Sequence, residues 1–229
     1  MKLKIVSNRK LYLQIADQLR DQISTGAAKP GQQLPSERDL AAALGVSRPT
    51  VRESLIALEV AGMVDIKVGV GAFVRPRDKL GKLPEFNHSP LETMAVRRLL
   101  EPEAAALASV HIADQEKRIL NRTISVMRDE TARGQWSSES DRLLHMTIAD
   151  ASGNLALREV LETLWLTRAE ALDRRFHQHL ADIEQIRHRI LIDHESIVFS
   201  IIEGNVEKSR EFMAGHLDFV KKAMMEVWE

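Results

Sequence analysis

Leu11, Ile15, Leu19 and Ile23 recur at every fourth position among polar residues, which predicts a helix with one apolar stripe, closed by Gly26. Lys29-Pro30-Gly31 reads as a turn. A second helix is expected from Ser36, whose hydroxyl can cap it, with Asp39 completing a capping box. Leu40 and Leu44 supply its buried side and Gly45 ends it. A third begins after Ser47 and tolerates Pro49 in its first turn, where no intrahelical donor is lost. Val51, Leu55 and Leu58, with Ile56, form its stripe before Gly62. The period then shortens. Residues 63–68 and 72–74 are short and β-prone, joined through Gly69-Val70-Gly71 at the spacing of a hairpin tip. Three helices, the last two separated by a Gly-Val-Ser turn, followed by a hairpin, predict a winged helix-turn-helix.

Residues 75–90 carry three prolines and no periodicity, as a linker does. Beyond them the pattern is helical throughout, with helices expected at 91–110, 114–132, 137–151, 155–177, 181–203 and 205–227. Asp114, Gly153-Asn154 and Gly204-Asn205 punctuate them. The fold class is therefore mainly α: a winged domain over 1–77, a linker over 78–90 and an antiparallel helical bundle over 91–229.

The chain has 229 residues and no cysteine, so disulfide scaffolds, thiolate metal sites and cysteine nucleophiles are excluded. No apolar run approaches the roughly 18 residues of a membrane span, and the first ten residues lack the apolar stretch of a secretory signal. A soluble cytoplasmic protein with no membrane partner is the expectation. The net charge of −1 divides unevenly: residues 1–77 hold 12 basic and 7 acidic side chains, the remainder 20 and 26. That asymmetry suits a basic module facing DNA and an acidic body.

In a helix-turn-helix the start of the second helix reaches base edges. Here it supplies Ser47, Arg48, Thr50 and Arg52 as candidate contacts. Arg38 is placed to touch the DNA backbone, and Lys67 and Gly69 of the wing to approach the minor groove. In the bundle, Asp141 and His145 are four apart on one helix face. His194 and His216 fall about ten residues before and eleven after the Gly204-Asn205 turn, so antiparallel helices bring them level. One carboxylate and three imidazoles suit a borderline divalent ion with positions left for ligand. On spacing alone, ordinarily hydrogen-bonded histidines are the better reading.

The run from Tyr12 to Val74, carried by Leu34-Pro35-Ser36-Glu37-Arg38, Gly45-Val46-Ser47-Arg48 and Thr50-Val51-Arg52-Glu53, resembles the DNA-binding domain of GntR-family transcriptional regulators. The resemblance implies operator contacts from Arg38, Arg48, Thr50, Arg52 and Gly69. Pro49 departs from the polar residue many members carry, which counts against a base contact there. The helical half, through Arg97-x-x-Leu100-Glu101, Asp141-x-x-x-His145, Asp193-His194-Glu195 and Met213 to Leu217, resembles the FCD ligand-binding domain of the FadR-type branch. It implies a divalent metal, zinc first and nickel or manganese next, on Asp141, His145, His194 and His216. A small carboxylate effector would sit beside it, with Arg97 as its clamp. The other reading of Arg97 is a helix salt bridge to Glu101, worth a few tenths of a kcal/mol. Trp165 reads as core, and Arg168, Arg174, Arg175, His177, His179 and His188 could help recognise a polyhydroxylated acid, although each read individually suits a solvated face. Leu11-Tyr12, Phe86-Asn87 and Leu164-Trp165 add a looser similarity to repressors of hexuronate utilisation of the ExuR/UxuR kind.

These resemblances imply a homodimeric repressor on a palindromic operator, released by a sugar acid such as a hexuronate or aldonate, or by another organic acid. No enzymatic activity is expected: His-Glu-x-x-His, Gly-x-Ser-x-Gly and phosphate-binding glycine loops are absent. A metal-dependent hydrolase on the same four residues with Glu195 as base, and an architectural DNA-binding protein without an effector, are the alternatives.

Overall fold

A computed structural model describes residues 10–76, 89–166 and 171–226. The chain forms two compact units.

The first unit contains α1 (Leu11–Thr25), α2 (Glu37–Leu44), α3 (Arg48–Val60), β1 (Val64–Lys67) and β2 (Gly71–Val74). The buried side of α1 is Tyr12, Leu13, Ile15, Ala16 and Ile23. Leu11 is 51% exposed and Leu19 only half-buried, because a spacing of four drifts off a face that repeats every 3.6 residues. α1 packs on α3, whose Val51, Ile56 and Leu58 are buried, as are Met63 and Val64 after it. Ser36 caps α2 by accepting from Asp39 N, and its hydroxyl donates to the Asp39 carboxylate. The expected box is thus half-formed, since Asp is one methylene shorter than the Glu that usually reaches back.

The antiparallel hairpin pairs Val64 with Val74 and Lys67 with Gly71. Gln33 bridges to Phe73 and donates to the Val70 carbonyl at 2.8 Å, tying the wing to the segment before α2. Gly71 has φ +136°, and a Cβ there would fall 2.6 Å from Gln33 Nε2, so only glycine lets this tie form.

The second unit contains α4 (Pro90–His111), α5 (Asp114–Ala132), α6 (Ser138–Ala151), α7 (Leu155–Leu166), α8 (Ala171–Ala181), α9 (Glu184–Ile202) and α10 (Val206–Glu226). α4 starts one residue earlier than its apolar pattern suggested. Ser89 and Glu92 close a full capping box around Pro90, so 89 and 90 belong to the helix start and not to the linker. Most of the remaining expected linker lies outside the described residues. Of the helix expected over 155–177, the described residues form α7 and α8, and residues 167–170 lie outside the described set. Asn154 and Asn205 accept from Leu157 N and Lys208 N, capping α7 and α10. α10 packs most extensively on α4 and then on α9, while α6 packs on α4, α5 and α7. The inward faces of α4, α6, α9 and α10 therefore converge on one interior region. No helix among the described residues is long and apolar enough to cross a membrane.

Candidate nucleic-acid interface and metal centre

The start of α3 is built by its own cap. Ser47 Oγ accepts from Thr50 N at 3.3 Å and lies 2.7 Å from Thr50 Oγ1. Ser47 is exposed and Arg48 and Thr50 are half-buried beside it. Arg38, with its side chain 83% exposed, borders a groove of about 420 Å³ together with Arg48, Lys67 and Gly69. Lys67 Nζ lies 4.9 Å from the Phe73 ring centroid, and Gly69 takes φ +71° at the hairpin tip. Three cations and a wing thus share one face of the unit, as phosphate binding requires.

Arg52 does not stand with them. It is 1% exposed and forks Glu37, with Nε at 3.0 and 3.1 Å from the two carboxylate oxygens and Nη2 at 2.5 Å from one. Where a DNA contact was expected, the side chain is buried and fastens α3 to the first residue of α2. A Glu opening one helix of the pair and an Arg on the inward side of the other were the available signal.

In the second unit, the four candidate metal residues meet. Asp141 and His145 come from α6, His194 from α9 and His216 from α10. His145 Nε2 lies 3.3 Å from His194 Nε2, and Asp141 Oδ1 lies 3.6 and 3.5 Å from those two atoms. The His194 and His216 rings are 4.5 Å apart, and one ligand atom from each of the three histidines falls within 4.8 Å of the others. All four residues are at most 4% exposed. Two ligands sharing one ion at ~2.1 Å stand roughly 3–3.5 Å apart, so this spacing fits a small divalent cation.

The protonation states of the buried imidazoles support the same fit. Burial, then the charge of His216, pushes the His194 imidazole well below its usual pKa, and burial lowers His216. Neutral imidazoles are the form that ligates metal.

The outer partners orient the rings. Glu101 Oε2 lies 2.6 Å from His145 Nδ1. Burial favours a neutral Glu101, but Arg97 and His145, by charge and by hydrogen bonds, hold its carboxyl well below the carboxylate range. An ionised carboxylate only accepts, so His145 Nδ1 must donate, leaving Nε2 turned to the cluster. Asp193 Oδ2 lies 3.6 Å from His216 Nδ1, close enough to favour a proton there but beyond hydrogen-bond distance.

For Arg97 the salt bridge is what the structure contains: Nε donates to Glu101 at 2.5 Å and Nη2 at 3.3 Å, both residues being buried. The guanidinium lies 4.1 Å from the Trp165 ring centroid, and Trp165 Nε1 donates to Glu101 at 3.2 Å. Trp165 is core, as expected. Arg97 also borders a cavity of about 20 Å³ with Trp136, Asp141, His177 and His216, little more than one water occupies. Two wall residues were not singled out from the sequence. Trp136, in the α5–α6 loop, stacks on His194 with ring centroids 6.2 Å apart. Arg187 of α9 is buried. His179, expected to be solvated, is 2% exposed, whereas His188 and Arg174 are exposed. Arg168 lies outside the described residues.

Known proteins match both halves. Residues 11–74 match the family model of bacterial regulatory proteins, gntR family, and residues 92–219 match the FCD domain. The chain is 29% identical to the Uxu operon regulator of Haemophilus influenzae over 95% of its length and 83% of that protein. It is 31% identical to the Uxu operon transcriptional regulator of Escherichia coli over 96% of its length and 89% of that protein. Among solved structures it resembles E. coli McbR/YncC with a TM-score of 0.53 and 22% identity, covering 96% of this chain and all of that one; this is a likeness of fold alone. A DNA-reading half and an FCD half follow one another in a single chain that aligns almost end to end with operon regulators, so the protein belongs to the gntR family of bacterial regulators with an FCD domain and is a transcriptional regulator, not an enzyme.

Proposed function

We propose that the chain is a cytoplasmic homodimeric repressor whose operator binding is released by a small carboxylate bound beside a divalent metal. Residues 1–77 read a half-site, residues 89–229 hold the effector and the dimer contact, and 78–88 connect them. A twofold dimer would match a palindromic operator. The observation that carries the reading is the buried meeting of Asp141, His145, His194 and His216. With His145 Nδ1 donating to Glu101, the bare lone pair of His145 Nε2 is turned toward His194 Nε2 and Asp141 Oδ1, a set of donors within 3.6 Å of one another that suits a shared cation. Zinc suits these donors first, then nickel or manganese. A bound cation supplies positive charge and open positions for a carboxylate or hydroxyl oxygen.

The effector class proposed is a sugar acid, a hexuronate or aldonate. Support comes from the relatives named as Uxu operon regulators and from the cavity wall, where aromatic Trp136 and cationic Arg97 accompany the metal residues. On the DNA side, Arg38, Ser47, Arg48, Thr50, Lys67 and Gly69 are proposed as the contact face, with Arg52 as its internal brace. For release, the acid must bind the DNA-incompetent state more tightly; a coupling of about 1–3 kcal/mol is typical.

The test is elemental analysis of purified protein with a thermal-shift screen of hexuronates, aldonates and simple hydroxy acids. About one equivalent of zinc, nickel or manganese per chain, with a shift from a sugar acid, supports the reading. Metal-free protein that shifts with no acid refutes it.

A further inference from the structure

Arg187 is 9% exposed and lies on α9 in the wall of the metal-side cavity, together with Arg97, Trp136, Asp141 and His216. Its Nη1 donates to the Ala181 carbonyl at the end of α8. Its Nε is buried without a hydrogen-bond partner, and no carboxylate among the described residues forms an ion pair with it. The α5–α6 loop passes close by: a Cβ on Gly134 would fall 3.7 Å from Nη2.

Taking a guanidinium out of water without a counter-charge is unfavourable by several kcal/mol. Arg97, at the same cavity, is already neutralised by Glu101. Among the described residues the cavity wall therefore holds two arginines in different electrostatic states: Arg97 is ion-paired and Arg187 is not. A carbonyl cap on α8 uses one of five guanidinium donors and explains neither the burial of Nε nor the missing carboxylate.

We infer that Arg187 is the residue that binds the anionic group of the effector, the ligand supplying the carboxylate the protein withholds. The inference rests on the acid-sensing reading above and deepens it. A carboxylate fits because it accepts two parallel N–H bonds from a guanidinium. A cation held by Asp141, His145, His194 and His216 would supply a site for a second oxygen function, so the ligand class is an organic acid with further oxygen donors, and a neutral sugar is rejected. The present cavity is too small for such a molecule, so the wall opens on binding. The Gly134–Trp136 loop is the wall segment next to Arg187.

The test uses the full chain loaded with Ni²⁺ and calorimetric titration with D-glucuronate, D-galacturonate, D-gluconate and L-lactate. Arg187→Met and Arg187→Lys are compared with the unaltered protein. For the acid that binds best, Arg187→Met is expected to lose about 10- to 100-fold in affinity, with Arg187→Lys between the two. Metal content per chain stays the same. Melting temperature without acid stays level or rises, because an uncompensated buried charge has been removed.

Unaltered affinity in metal-loaded Arg187→Met overturns the assignment and leaves acid sensing standing. A lowered melting temperature without acid in Arg187→Met, with unaltered affinity in Arg187→Lys, makes the residue a cap on α8 and also overturns it. Failure of every acid to bind the unaltered protein overturns both the assignment and the acid-sensing reading.

Discussion

Glu37 and Arg52, fifteen residues apart in the chain, close a forked ion pair between the first turn of α2 and the interior side of α3. The guanidinium is almost wholly buried, while the Glu37 side chain keeps 12% of its surface. The pair sets how the helix carrying Arg48 is presented.

Arg52→Ala should therefore destabilise the first unit. Removing one partner of a buried pair costs about 3–5 kcal/mol, and the lower end applies because Glu37 can reach water. Denaturant unfolding would register the loss directly. Operator affinity should fall with stability and not independently of it. Full stability with selective loss of DNA binding would return Arg52 to the contact set.

Arg38→Ala, Arg48→Ala and Lys67→Ala should behave in the opposite way. Their side chains border one groove, with Arg38 and Lys67 exposed and Arg48 half-buried. Each should leave the melting temperature nearly unchanged, weaken DNA binding and reduce the salt-dependence slope by about one where a phosphate is contacted. Binding measured across a salt series checks this, and an unaltered slope removes that residue from the interface.

Glu101→Gln should weaken metal binding without touching a ligand. The amide loses the charge that fixes His145 Nδ1 as a donor at 2.6 Å and that pairs Arg97. Loss of such an outer partner typically lowers metal affinity 10- to 100-fold. Competition with a chromogenic chelator reads this, and equal affinity would show that His145 orients itself.

Acid should destabilise the metal-free protein. Burial holds His194 and His216 below the ordinary histidine value of 6.5 in the folded state. Below about 6.5 the unfolded chain therefore takes up protons that the folded chain refuses, and stability falls with pH. Above that value their contribution is fully present. Glu101 acts in the same direction at much lower pH, since its folded carboxyl is held below its ordinary 4.5. Melting temperature in chelator should drop between about pH 7 and pH 5; a level or rising value would contradict the burial of neutral imidazoles.

Much of the scaffold was legible because its signals are local. Ser36 and Ser47 cap the helices they precede, and Gly69 to Gly71 turn the hairpin, since caps and turns depend on residues within one turn of chain. The α4 start was equally local: Ser89-x-x-Glu92 is a capping box that the apolar pattern alone placed one residue late. The metal cluster needed a turn at Gly204-Asn205 to bring His194 and His216 level, and helix periodicity supplied the rest. Arg52 and Arg187 were not legible as buried. Both are long, charged side chains whose burial depends on partners elsewhere in the fold, Glu37 for one and the cavity wall for the other.

The central claim is that an acid at the histidine cluster governs DNA binding, and fluorescence anisotropy of a labelled operator duplex, selected from a random pool with the unaltered protein, tests it most directly. D-Glucuronate and D-gluconate are titrated into the operator complexes of the unaltered protein and of His194→Ala. The account predicts release of the duplex from the unaltered protein, and from His194→Ala equal operator affinity without release. Equal release from both proteins would contradict it.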